Sequence, residues 1–130
     1  MFSHIMVGSN DIEASKKFYD AVLGVLGAGE PARDVKDDGT VRLLYIHGGG
    51  VFMVSTPIDG NPATAGNGST IGFACSSLEQ VKAFHDAGVA AGGTSIEDPP
   101  GPRTSAMGTL NLSYVRDPSG NKLCALHRAG

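Results

Sequence analysis

Apolar residues fall along the chain in two rhythms, and those rhythms predict its elements. Phe2 to Val7 reads as a strand. After it, Ile12, Phe18, Tyr19, Val22 and Leu23 share one face of a helix, with Asn10 or Asp11 as its cap and Gly24 as its stop. Glu30 to Thr40 is polar and turns at Asp38-Gly39. Val41 to Ile46 and Val51 to Ser55 read as strands joined by a turn at Gly48 to Gly50. Pro57 to Gly68, rich in Pro, Gly, Asn and Thr, reads as a linker. The order then restarts. Thr70 to Cys75 is a strand, and a helix follows with Ser76 or Ser77 as cap. Glu79 or Gln80 completes its capping box. Leu78, Val81, Phe84 and Ala87 form its buried stripe, and Gly92-Gly93 ends it. Thr94 to Ile96 is a short strand, and Asp98 to Gly108 is a loop with three prolines. Leu110 to Arg116 and Lys122 to His127 form a hairpin around Asp117 to Asn121.

The restart is visible residue by residue. Asn10 to Ala21 and Ser76 to Ala87 align at an offset of 66 residues. Glu13 falls on Glu79, Lys16 on Lys82, Phe18 on Phe84, Asp20 on Asp86 and Ala21 on Ala87. Each half reads strand, helix, then two or three strands. A chain that repeats one unit implies internal pseudo-symmetry, with residues at equivalent positions as partners in one site. The fold class is α+β, as one domain. Module one spans about residues 1–56, the linker 57–68 and module two 69–130.

Composition narrows the function. A chain of 130 residues is long enough for one real core. No apolar run approaches the ~18 residues that span a bilayer. MFSHIMVGSND has no basic segment followed by an apolar core. The expectation is therefore no membrane partner and a cytoplasmic location. Cys75 and Cys124 are too few for a disulfide framework and are expected to stay reduced. Net charge is −3 without a Lys/Arg cluster, which argues against nucleic acid as a partner. The triple glycine at 48–50 lacks a following Lys-Ser/Thr and a helix, so a hairpin turn explains it better than a phosphate loop.

Two such modules, with DPSGNKL near the C-terminus, resemble the vicinal oxygen chelate superfamily. That superfamily includes glyoxalase I, bleomycin-resistance proteins, fosfomycin-resistance enzymes and extradiol dioxygenases. FSHIMVGSNDIEASKKFYDAVLG is similar to its first module, where a strand histidine precedes a helix with a Phe-Tyr pair. Tyr114 to Asn121 resembles its last hairpin. The resemblance implies two βαβββ modules that form a cup-shaped mixed sheet with helices outside. It also implies a homodimer in which modules from two chains complete each cup. In metal-using members, ligands lie on the first and last strand of each module, and a divalent ion (Zn, Ni, Mn or Fe) chelates two substrate oxygens.

Carried over by position, the four ligand places fall on His4, Met53, Thr70 and Cys124. Only His4 suits a metal; the family's glutamate is replaced by Cys124. The implied function is small-molecule binding in the cup without a complete metal site, and no cofactor is predicted. The alternative is a metal-dependent lyase or isomerase resembling glyoxalase I. His4, Met53, Thr70 and Cys124 are expected to share one cavity, with Tyr114 as a ligand-binding hydroxyl. His4 reads either as a group that lines the cup or as a histidine bonded to a neighbour. Cys124 reads as a small buried hydrophobe more readily than as a thiolate. Arg116 reads better as a turn partner than as an anion contact. Arg103 and Met107 reach a ligand only if their loop folds over the cup. The facing of Tyr45 and His47 stays open on alternation alone.

Overall fold

The computed structural model describes residues 1–129. The first half contains β1 (Ile5–Gly8), α1 (Ile12–Val25), β2 (Ala32–Val35), β3 (Val41–His47) and β4 (Gly50–Ser55). The second contains β5 (Ile71–Ala74), α2 (Leu78–Ala90), β6 (Thr94–Ser95), β7 (Gly101–Ser105), β8 (Gly108–Arg116) and β9 (Lys122–Arg128). The fold is α+β, as the pattern predicts.

Local chemistry sets the helix ends. The Asp11 carboxylate accepts the N–H groups of Glu13 and Ala14, which satisfies donors that the first turn of α1 leaves free. The predicted stop at Gly24 is one turn too early. The helix runs through Gly24, and the left-handed residue is Gly27, at φ 101°. The N–H of Gly27 donates to Gly24 and that of Ala28 to Leu23, both at 3.0 Å, and these bonds close the C-terminus. In α2 the Ser77 hydroxyl accepts the Gln80 N–H. Gln80 reaches back to the N–H of Ser76, one residue further out than an ordinary capping box. The buried stripe of α2 is Val81, Phe84 and Gly88, while Leu78 and Ala87 are half-buried. Gly88 is buried because α1 presses on it. A Cβ there would lie 3.1 Å from both Phe18 and Val22.

Two segments read as irregular are strands. Ala32–Val35, within the polar stretch, pairs antiparallel with β3 as an edge strand. All four of its residues are exposed, so no alternation could betray it. Gly101–Ser105, within the expected proline loop, pairs antiparallel with β8. Pro102 is tolerated because β7 lies on an edge, where a missing N–H breaks no inner ladder.

The sheets repeat each other. The first has the order β1-β4-β3-β2 and the second β5-β9-β8, with β6 and β7 both on the outer side of β8. In each, the first and last strands of the module run parallel. Ile5 stands beside Phe52, and Ile71 beside Leu123. One hydrophobic cluster joins the two halves. It contains Phe18, Tyr19, Val22, Leu43 and Val54 from the first and Val81, Phe84, Val115, Leu123 and Ala125 from the second. Phe18 and Phe84 are both fully buried, as their alignment requires. Aromatic contacts run from Tyr19 through Phe52 and Phe73 to Phe84, with centroids 4.9, 5.3 and 5.5 Å apart. α1 and α2 pack directly on each other.

Candidate functional site

Strand alternation gives each sheet a face toward the helices and an opposite face. In the first sheet Val7, Leu43, Tyr45, Phe52 and Val54 turn into the core. Met6 and Met53 are register partners on the opposite face, and Leu44 stands beside Met53. In the second sheet Val115, Leu123 and Ala125 turn into the core. Leu112, Tyr114, Cys124 and Leu126 take the opposite face, with Tyr114 directly across from Cys124 and Gly72 on its other side.

The candidate residues therefore fall into two groups. The structure brings Tyr114 and Cys124 together on one sheet and puts Met53 beside Met6 on the other. His4 and Thr70 lie one residue ahead of their strands, and both are exposed. The His4 ring pairs with the Ser3 hydroxyl at 2.9 Å. None of the five lines the cavity of about 650 Å³ that opens at the junction of the modules.

Electrostatics on the second face favours neutral groups. Burial, the largest cause, pushes the Cys124 thiol up, so it is a thiol and not a thiolate at neutral pH. The thiol donates weakly to the Ala125 carbonyl at 3.6 Å. Burial and then the neighbouring Cys124 raise the Tyr114 hydroxyl, which stays a donor. Lys122 sits 4.9 Å from the centre of the Tyr114 ring and pairs with Glu97. Lys122 and Glu97 are charged residues at this face that sequence reasoning missed. Glu97 is the harder of the two to find. It lies in an irregular segment at φ 60°, and no pattern along the chain points to it.

Other candidates are already engaged. Arg116 donates to the Gly120 carbonyl at 2.7 Å and so braces its turn. Arg103 donates to the carbonyls of Asp98, Pro99 and Gly101, which holds the approach to β7. Met107 is exposed at the hairpin tip. Tyr45 faces the helix, and its hydroxyl donates to Asp20 at 2.7 Å.

The residues at the four positions do not fit a metal. Threonine and thioether are weak ligands, and the thiol is held protonated. Among the described residues, no three His, Cys, Asp or Glu side chains come together as a metal-holding group. Among the described residues, no helix is long and apolar enough to cross a membrane.

The family model described as Glyoxalase/Bleomycin resistance protein/Dioxygenase superfamily matches residues 1–125. A solved glyoxalase/bleomycin resistance protein from Albidiferax ferrireducens T118 is 58% identical, with TM-score 0.88; the match covers 98% of this chain and 99% of that one. A glyoxalase/bleomycin resistance protein/dioxygenase family enzyme from Burkholderia phytofirmans PsJN is 15% identical, with TM-score 0.68 and 96% of each chain covered. A glyoxalase I mutant from Zea mays is 18% identical, with TM-score 0.73, over 95% of this chain and 44% of that one. These last two likenesses speak for the fold alone. A search of the curated proteins finds no match.

Proposed function

Since this chain belongs to the glyoxalase/bleomycin resistance protein/dioxygenase superfamily, we propose that it binds a small organic molecule on the sheet faces opposite the helices, without a resident metal. The observation that supports this is the chemistry of those faces. Met6, Leu44 and Met53 on one sheet and Leu112, Cys124 and Leu126 on the other are apolar, with the Tyr114 hydroxyl among them. Small-molecule sites are commonly of this kind, apolar with a few placed polar groups.

In this reading the Tyr114 hydroxyl and the His4 ring orient the ligand by hydrogen bonds. Cys124 contributes apolar surface and no nucleophile. The first face is open in a single chain, with Met6 48% and Ile46 70% exposed. A second copy of the chain would cover such a face, so the working unit is a homodimer with more than ~1,000 Å² buried.

Metal analysis tests the reading directly. Protein purified without chelator or affinity tag should carry far less than one divalent ion per chain. Stoichiometric metal that disappears in His4→Ala would overturn it in favour of a glyoxalase I-like lyase. Titration with bleomycin should show saturable binding that Tyr114→Phe weakens by about 2–10-fold, the worth of one hydrogen bond. A monomer in sedimentation at micromolar concentration would remove the dimer from the proposal.

A further inference from the structure

The two halves differ where the inner hairpin of each meets the other module. Between β8 and β9, the turn Asp117–Asn121 seals that junction with side chains. The Asp117 carboxylate accepts the Tyr19 hydroxyl at 2.6 Å. Asn121 donates to the Gly8 carbonyl at 2.9 Å, and the Ser119 hydroxyl accepts the Asn10 N–H at 2.9 Å. The strand registers make the β3–β4 turn its counterpart, because Phe52 occupies the place of Leu123. There the chain reads His47-Gly48-Gly49-Gly50. Gly48 and Gly49 take positive φ, 59° and 81°, which suits a tight turn. Three glycines carry no side chain that could repeat the seal.

The space left open is the cavity of about 650 Å³. Its size lies within the ~300–1,000 Å³ of ordinary ligand pockets. Leu23, Ile71, Phe52 and Phe73 form apolar walls, and Cys75 and His47 stand at its edges. Phe52 and Phe73 meet edge to face at 5.3 Å and 71°, and both line the cavity. Gln80 is already bonded to Ser76 and to the Val25 carbonyl. No Lys or Arg lines the cavity, so a carboxylate would find no cation there. The exposed His47 is among the polar residues that line it; the Tyr45 hydroxyl is bonded to Asp20 and the Ser76 hydroxyl to Gln80.

We propose that this junction cavity is a second binding site, separate from the open sheet faces, for a small neutral aromatic molecule with one hydrogen-bonding group, of the phenol type. The ring lies against Phe52 and Phe73, and the hydroxyl meets the His47 imidazole. The glycine turn lets the molecule approach the backbone closely.

Phenol titrated into the full chain, followed by backbone amide NMR, tests this. Saturable shifts at Gly48, Phe73 and Cys75 are expected, with benzoate at least about tenfold weaker for want of a cation. His47→Ala should weaken phenol by about 3–10-fold, and Cys75→Trp, which fills the space, should abolish saturation. Should Cys75→Trp not fold, Ala28→Phe on the same wall is the substitute. Alkylation of Cys75 should also slow when phenol is present. Shifts confined to Met53, Tyr114 and Cys124, shifts that never saturate, or unchanged binding in the filled variant would each overturn the proposal.

Discussion

The Asp117–Asn121 turn and the His47–Gly50 turn join equivalent strands of a repeated unit, yet they do opposite work. Asp117 is only 3% exposed, and four hydrogen bonds converge on its carboxylate. It accepts Tyr19, the N–H groups of Ser119 and Asn121, and the Asn121 amide, at 2.6 to 2.9 Å. A buried charge is tolerable when it is satisfied in this way. His47, its counterpart, is exposed and flanked by glycine. Repetition therefore fixed the strands and their register, while side chains at one turn decided which junction closed. The sealed junction links the modules, and the open one leaves a cavity.

The first way to probe this contrast is to ask whether the modules share the core equally. Phe18→Ala and Phe84→Ala should each cost about 3–5 kcal/mol in urea unfolding, because both rings are fully buried. A cost below about 1 kcal/mol at either position would break the equivalence of the helices. Next comes the seal itself. Tyr19→Phe leaves a buried carboxylate one donor short and should cost about 1.5–3 kcal/mol. If it is neutral, the sealed junction contributes no more than the open one.

A pH series sharpens the same point. Burial, and then Asp117, raise the Tyr19 hydroxyl well above its ordinary value of 10.0. Burial, and then Asp20, raise Tyr45 as well. A hydroxyl whose folded value lies above its unfolded value holds its proton more tightly in the folded state. Its contribution is complete below about pH 10 and falls as pH rises beyond it. Unfolding free energy should drop by about 1.4 kcal/mol per pH unit per tyrosine above pH 10. In Tyr19→Phe that slope should lose the Tyr19 share, about 1.4 kcal/mol per pH unit, and keep the shares of Tyr45, Tyr114 and the raised thiols. The smallest effect is expected at the open junction. His47→Ala should change stability by no more than about 0.5 kcal/mol, measured by the same unfolding curves. A loss comparable to that of Tyr19→Phe would show that the open turn also braces the modules.

Much of the fold was legible because its signals are local. Phe18 and Phe84 recur at one offset, Asp11 and Ser77 stand where caps belong, and the β8–β9 turn carries Asp117-Pro118-Ser119-Gly120. The misses have physical reasons as well. Gly24 looked like a stop, but a glycine within the last turns of a helix costs only about 1 kcal/mol, and Gly27 offered the left-handed place. β2 and β7 are edge strands, where neither burial nor a full ladder imposes a pattern. The candidate site was less legible than the fold. Tyr114 and Cys124 could be paired from a hairpin register, and the structure pairs them. Glu97 and the junction cavity could not, because each depends on segments far apart in the chain.

The sequence by itself determined the repeat, the strand and helix periods, the helix caps and the chemistry at the four family ligand positions. These follow from neighbours within a few residues, where backbone preference and side-chain spacing act directly. Only the tertiary structure decided that Tyr19 meets Asp117, that Gly88 admits α1, that Lys122 covers Tyr114 and that the glycine turn leaves a cavity. Apart from Lys122 and Tyr114, which meet across the β8–β9 hairpin, such contacts join residues dozens of positions apart. They arise when two modules are pressed onto one core, and packing then selects which polar groups can be satisfied and which space remains unfilled.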